Sequence, residues 1–113
     1  MIGRVTRDQY IFEIGRLIGE GERLQAQPSI AAMRTWIALS DDFLRDAWGS
    51  MDRYHLSWLS VGRPGDAIRG RAMTDVEESA YVREVAGAKT AVLRMSLKAV
   101  DRDGMPFVGE TPA

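Results

Sequence analysis

Cysteine is absent from the chain, and with it disulfides, zinc ribbons, iron–sulfur clusters and thiol nucleophiles. Histidine occurs once, at His55, and only Lys89 and Lys98 among the 15 basic residues are lysine. No run approaches the roughly 18 apolar residues of a membrane span. The start MIGRVTRDQYIF lacks the apolar core and small-residue cleavage site of a secretory signal, so a cytoplasmic protein without membrane contact is expected. No excess of one charge sign exists either: 15 basic residues face 16 acidic ones, which argues against nucleic-acid binding through a global basic field.

What is present is a single-domain composition, 113 residues of which 45% are hydrophobic and 27% charged. At this length roughly two-thirds of the unfolded surface can be buried, so no cross-link or metal is required for folding. The periodicity is helical throughout. The stretch from Trp36 to Trp58 holds all three tryptophans and repeats apolar residues at steps of three and four: Trp36, Leu39, Phe43, Ala47, Met51, Tyr54 and Trp58, with Ile37, Leu44, Trp48, His55 and Leu59 beside them. This phase runs through Ser40 and through Gly49-Ser50, so one long central helix from Ser29 to Val61 is expected, about 50 Å in length, kinked or broken near one of those points.

Two flanking helices are marked by capping boxes. Thr6 with Gln9, and the staple pair Val5 and Tyr10, start a helix at Arg7 whose inner face is Tyr10, Ile14, Leu17 and Leu24, leaving Phe12 outside. Gly15, Gly19 and Gly21 weaken that helix by roughly 1 kcal/mol each, which implies either fraying after Ile18 or close approach of a neighbour. Pro28 ends it. Thr74 with Glu77 opens the last helix, which runs to about Val100 with the seam Tyr81, Val85, Ala88, Val92, Met95 and Ala99. Its thin middle, Ala86 to Ala88 and Ala91, invites large residues such as Trp48 or Phe43. Residues 62–73 read as the main loop, and 102–113 as a non-helical tail behind a single helical domain over 1–101. The fold class is an all-α bundle of three main helices, or four if the central one breaks, with long central and C-terminal helices packed antiparallel.

Sites of chemistry are weak. Asp52 and His55 have the spacing of half a di-iron ligand set, but the second histidine and further inward carboxylates are missing, and His55 lies in an apolar row that makes it a core or interface residue. Asp41-Asp42 and Asp75, Glu77, Glu78 are the acidic pairs a magnesium-dependent hydrolase would need; capping and the helix dipole account for the second group. A helix-turn-helix reading of Tyr81 to Leu97 fails because Arg83 stands where an alanine belongs. No catalytic residue, metal or cofactor is expected.

Association is expected instead. The last helix is apolar over about 200° of its circumference, so Tyr81, Val82, Val85, Val92, Leu93, Met95 and Leu97 are candidates for a surface shared with another chain, with a homodimer as the default. Phe107 and Val108 either extend this surface as an arm or fold back to close the bundle. The expected role is thus a non-enzymatic, self-associating assembly or adaptor protein, of the sort carried by bacterial accessory loci, mobile elements and phages. The alternative is nucleic-acid binding, with Arg63, Arg69 and Arg71 holding phosphate near the N-terminus of the last helix.

Overall fold

A capped start and a proline stop shape the first helix as its sequence dictates. In the computed structural model, which describes residues 5–49, 52–61 and 74–110, α1 spans Arg7–Ala26. Gln9 N–H donates to Thr6 Oγ1 at 3.1 Å, and Thr6 N–H returns the bond to Gln9 Oε1 at 2.8 Å. The helix does not fray at its glycines. Gly21 is buried, and a Cβ there would come within 2.0 Å of Thr90 Oγ1 and 2.8 Å of the Trp36 ring. Only a hydrogen fits at this crossing. Gly15 and Gly19 face open space.

Ser29, behind Pro28, caps α2 over Ile30–Trp48 by accepting from Ala32 N–H at 3.2 Å. Here the expected continuous helix is corrected. The chain breaks at Gly49, whose φ of 93° costs an L side chain strain that glycine escapes, and resumes as α3 over Arg53–Ser60. The physical reason is burial. A helix of about 50 Å would carry Tyr54 and Trp58 past the end of the bundle, whereas folding back sets the Trp58 ring edge-on to Trp36 at 5.4 Å and Tyr54 against Trp48 at 4.6 Å. Ser40 does not start a helix; it is fully buried inside α2. The inner stripe is Met33, Trp36, Ser40, Leu44 and Ala47, which turns Leu39 out to 59% exposure. Met51 lies outside the described residues.

The last helix, α4, spans Asp75–Asp101 behind the expected Thr74–Glu77 capping box. Its partner across the longest contact is α1, and the two run antiparallel, with Arg7 beside Val100 and Gln25 beside Gly87. The antiparallel packing expected of the central and last helices holds only for the returned part: α2 starts beside the start of α4, Ser29 and Ile30 near Asp75 and Glu78, and runs parallel to it, while α3 folds back antiparallel to α2. The described residues form an all-helical bundle, in which α1, α2 and α4 are the long members.

The expected seam of α4 is rotated. Val82, Val85, Ala86, Lys89, Val92, Leu93, Ser96, Ala99 and Val100 are buried, while Met95 is 58% exposed and Tyr81 and Ala88 are half-buried. Counting apolar residues alone leaves out Lys89, Thr90 and Ser96, which also face inward. Trp48 and Phe43 do not fill the thin middle of α4 either. They meet Tyr10, at 6.1 and 5.5 Å between ring centroids.

The tail after Asp101 is not helical, and of the two readings of Phe107 the structure takes the closing one. Phe107 is buried against Tyr10 at 4.8 Å and Trp48 at 5.7 Å. Gly109 N–H donates to Ala47 O at 2.7 Å, and Val5 N–H donates to Gly109 O at 3.2 Å. Arg7 then ties three segments together, donating to Val100 O at 2.8 Å, to Met105 O at 3.3 Å and in two-pronged fashion to Glu110.

Two stability predictions follow from these close contacts. Gly21→Ala should lower the denaturation midpoint by about 1–3 kcal/mol even though alanine is the better helix former; an unchanged or raised midpoint would show that Thr90 and Trp36 can yield. Phe107→Ala should cost about 3–5 kcal/mol, and a loss within the error of urea titration would mean that the tail is not part of the core.

Candidate functional site

The rare polar residues come together inside the bundle, around the short α3. His55 is buried at 5% exposure, and its Nε2 lies 2.8 Å from Asp41 Oδ1 on α2. Lys89 of α4, also buried, donates from Nζ to the Trp58 carbonyl and sits over the Trp58 ring at 4.6 Å. That carbonyl belongs to the last turn of α3, where helix carbonyls lack intrahelical donors and the dipole favours a cation. The lysine stem is long enough to cross the apolar layer to reach it. These contacts are structural. An eight-residue helix is too short to hold itself together in water, and His55, Lys89 and Trp58 are what anchor it.

The acidic pairs do not converge. Asp41 is engaged with His55 and lies 3.9 Å from Arg45, Asp42 is paired with Arg45 at 2.8 Å, and Glu77 closes its capping box. Asp75 and Glu78 line a shallow hollow with Pro28, Ser29 and Ile30 at the other end of α2. Among the described residues no group of three His, Asp or Glu side chains is placed to hold a metal ion. Nor is any described helix long and apolar enough to cross a membrane.

The expected association surface is largely spent inside this chain. Val82, Val85, Val92, Leu93 and Phe107 are each 6% exposed or less, so the correction is plain: they have no surface to share with a partner. The cover on α4 comes mainly from α1, with smaller shares from α2 and α3, which the periodicity of α4 alone could not supply. Met95 and Val108 are exposed, and Tyr81 and Leu97 are half-buried. Arg63, Arg69 and Arg71 lie outside the described residues.

Exposed apolar side chains occur on all four helices, with Val76 and Met95 on α4 and Leu56 and Leu59 on α3 among them, and two stand beside hollows of α1 and α2. Phe12 is 65% exposed and Leu39 59%. Between the two helices runs a groove of about 360 Å3, with Arg16, Leu17 and Glu20 on one wall and Ala32, Trp36 and Leu39 on the other. Trp36 floors it, anchored by its indole N–H to Leu17 O at 2.8 Å. A second hollow of about 400 Å3 lies beside Phe12, bounded by Val5, Asp8, Gln9 and Glu13. Sequence reasoning placed Phe12 outside the core correctly but assigned it nothing, and it placed Leu39 inside. The missed signal was the inner phase of α2, readable once Ser40 is allowed into the core.

No protein-family model matches the chain, and comparison with curated proteins and with solved structures finds no match. The surface described above therefore carries the functional argument on its own geometry.

Behind this face, Tyr10 links the helices. Its hydroxyl accepts from Trp48 Nε1 at 2.7 Å, and burial pushes the phenol up to about 12, against smaller opposing effects of hydrogen bonds with Ser96 and Trp48. A phenol raised above its ordinary value of 10 holds its proton longer in the folded chain than in the unfolded one. Its contribution is then intact below pH 10 and lost as pH rises through 12. About 2–3 kcal/mol should disappear over that interval, and Tyr10→Phe should flatten the decline while costing about 1–2 kcal/mol at neutral pH. Urea midpoints followed across alkaline pH test this; a Phe variant with the same alkaline slope would assign the loss to other groups.

Proposed function

We propose that the protein works by protein–protein association and carries out no chemistry of its own: a self-associating assembly or adaptor protein of the kind found in bacterial accessory loci, mobile elements and phages. The observation that carries this reading is two large apolar side chains in solvent, Leu39 beside the open groove between α1 and α2 and Phe12 beside a second hollow on α1. Burying such a pair against another chain is favourable by roughly 1.5–3 kcal/mol per side chain, and leaving it in water stabilises nothing in the fold. The buried polar groups support the same reading. His55, Lys89 and Tyr10, which an enzyme of this composition would draw on, are turned inward as braces between helices.

The default assembly is a homodimer, since two-fold contacts are the commonest solution for a self-complementary surface. Sedimentation or light scattering at micromolar concentration should give about twice the monomer mass of 12.6 kDa. Phe12→Ser should return the protein to monomer without loss of helical signal, because Phe12 makes no part of the core cluster. A wild-type chain that runs as a monomer at every concentration would overturn self-association.

A further inference from the structure

The turn between α2 and α3 works against the sequence on either side of it. The apolar residues of the two helices keep one helical phase, yet the chain turns back at Gly49, where φ is 93°. A φ of this sign is open to glycine and strained for a residue with a Cβ. The fastening of the turn is slight as well. Asp52, the N-cap of α3, makes no side-chain capping bond, and its N–H reaches Gly49 O at 3.3 Å.

The contacts across this turn have a symmetry of their own. Trp36 meets Trp58, Asp41 meets His55 and Trp48 meets Tyr54, and the sequence midpoint of each pair lies within two residues of Gly49. If α2 ran on through Gly49, two such helices laid antiparallel about a two-fold axis at that level would bring the same residues together between chains. Such an axis sets each side of one helix against the same side of the other. At about 100° per residue Trp58 falls about 40° from Trp36, and His55 about 40° from Asp41, so both pairs meet that condition. Trp48 and Tyr54 fall about 120° apart, so the contact next to the axis is the one that repacks.

We propose that the chain forms an exchanged dimer by opening at Gly49: α2 and α3 join into one helix, and α3, α4 and the tail of each copy pack on α1 and α2 of the other. The core of each half then repeats the one described above, with Trp58 against Trp36 of the partner subunit and Lys89 still on the Trp58 carbonyl of its own chain. Exchange of this kind reuses contacts that already hold the fold, so it needs no complementary outer surface. It is a second route to self-association, independent of Phe12 and Leu39. The tail does not forbid it: Gly109 N–H donates to Ala47 O, which a continuous helix also uses, and a carbonyl accepts two donors.

The test uses the cysteine-free background to ask which chain covers which. E22C and R94C replace two exposed residues that pair between α1 and α4. Chains are refolded from urea at high concentration, separated by size, diluted and joined with a short bismaleimide, with circular dichroism to establish folding. In a monomer or a surface-docked dimer the link closes within one chain; in the exchanged dimer it joins two, and a denaturing gel shows a covalent dimer. Wild-type hinge chains should give this band. G49A, strained in the turn and favoured in a helix, should raise it about tenfold or more. D52P should abolish it, because the Asp52 φ of -72° suits proline in the turn, whereas inside a helix proline removes a hydrogen bond and clashes with the preceding turn. F12S should leave it unchanged. A band that follows this series supports the exchange. Size-separated dimers whose links stay within one chain overturn it and leave association through the outer side chains standing; absence of the band from wild type and G49A alike, or its persistence in D52P, overturns it outright.

Discussion

The bond from Trp48 Nε1 to the Tyr10 hydroxyl is the contact on which the arrangement of elements depends. It joins α1 to the end of α2, and around it Phe43, Tyr54 and Phe107 pack within 6.1 Å between neighbouring centroids, drawing in α3 and the tail. A buried indole N–H without an acceptor costs about 1–3 kcal/mol, so the hydroxyl both satisfies the tryptophan and fixes where α2 must end. Ser96 brings α4 to the same oxygen. The five aromatic rings thus form a single junction in which each element is held by at least one other.

The second half of the bundle is organised by the return of α3. Its eight residues gain little from their own hydrogen bonds, and the helix exists because Trp58 is fully buried against Trp36 and because Lys89 and His55 brace it from α4 and α2. His55 meets Asp41 of α2, and the Lys89 ammonium meets the Trp58 carbonyl of α3.

Exposed pairs such as Glu13–Arg16 and Glu20–Arg23 add only about 0–1 kcal/mol to a fold. Gly19 behaves similarly. It weakens α1 as a helix and relieves no close contact within the chain, in contrast to Gly21, whose missing side chain is what lets α4 come so near.

Local chemistry made much of the fold legible from the sequence. Both capping boxes, the start of α1 at Arg7, the stop at Pro28, the core position of His55 and the outward placement of Phe12 follow from hydrogen-bonding groups and periodicity within a few residues, and all are present. The tertiary structure alone decided where the apolar phase stops being obeyed. The helical pattern runs unbroken through Gly49, and the chain turns there because Trp48 is held on Tyr10 while Trp58 and Tyr54 are buried against Trp36 and Trp48. Leu39 and the α4 seam were misplaced for a related reason: Ser40, Lys89 and Ser96 are polar by composition and buried in fact, Lys89 reaching the Trp58 carbonyl and Ser96 the Leu93 carbonyl. The wide apolar stripe of α4 pointed to a partner, and the partner for most of it is α1 of the same chain, with smaller shares from α2 and α3. A sequence shows how much surface must be covered, but which chain covers it depends on contacts between residues distant in sequence, and those exist only once the helices have packed.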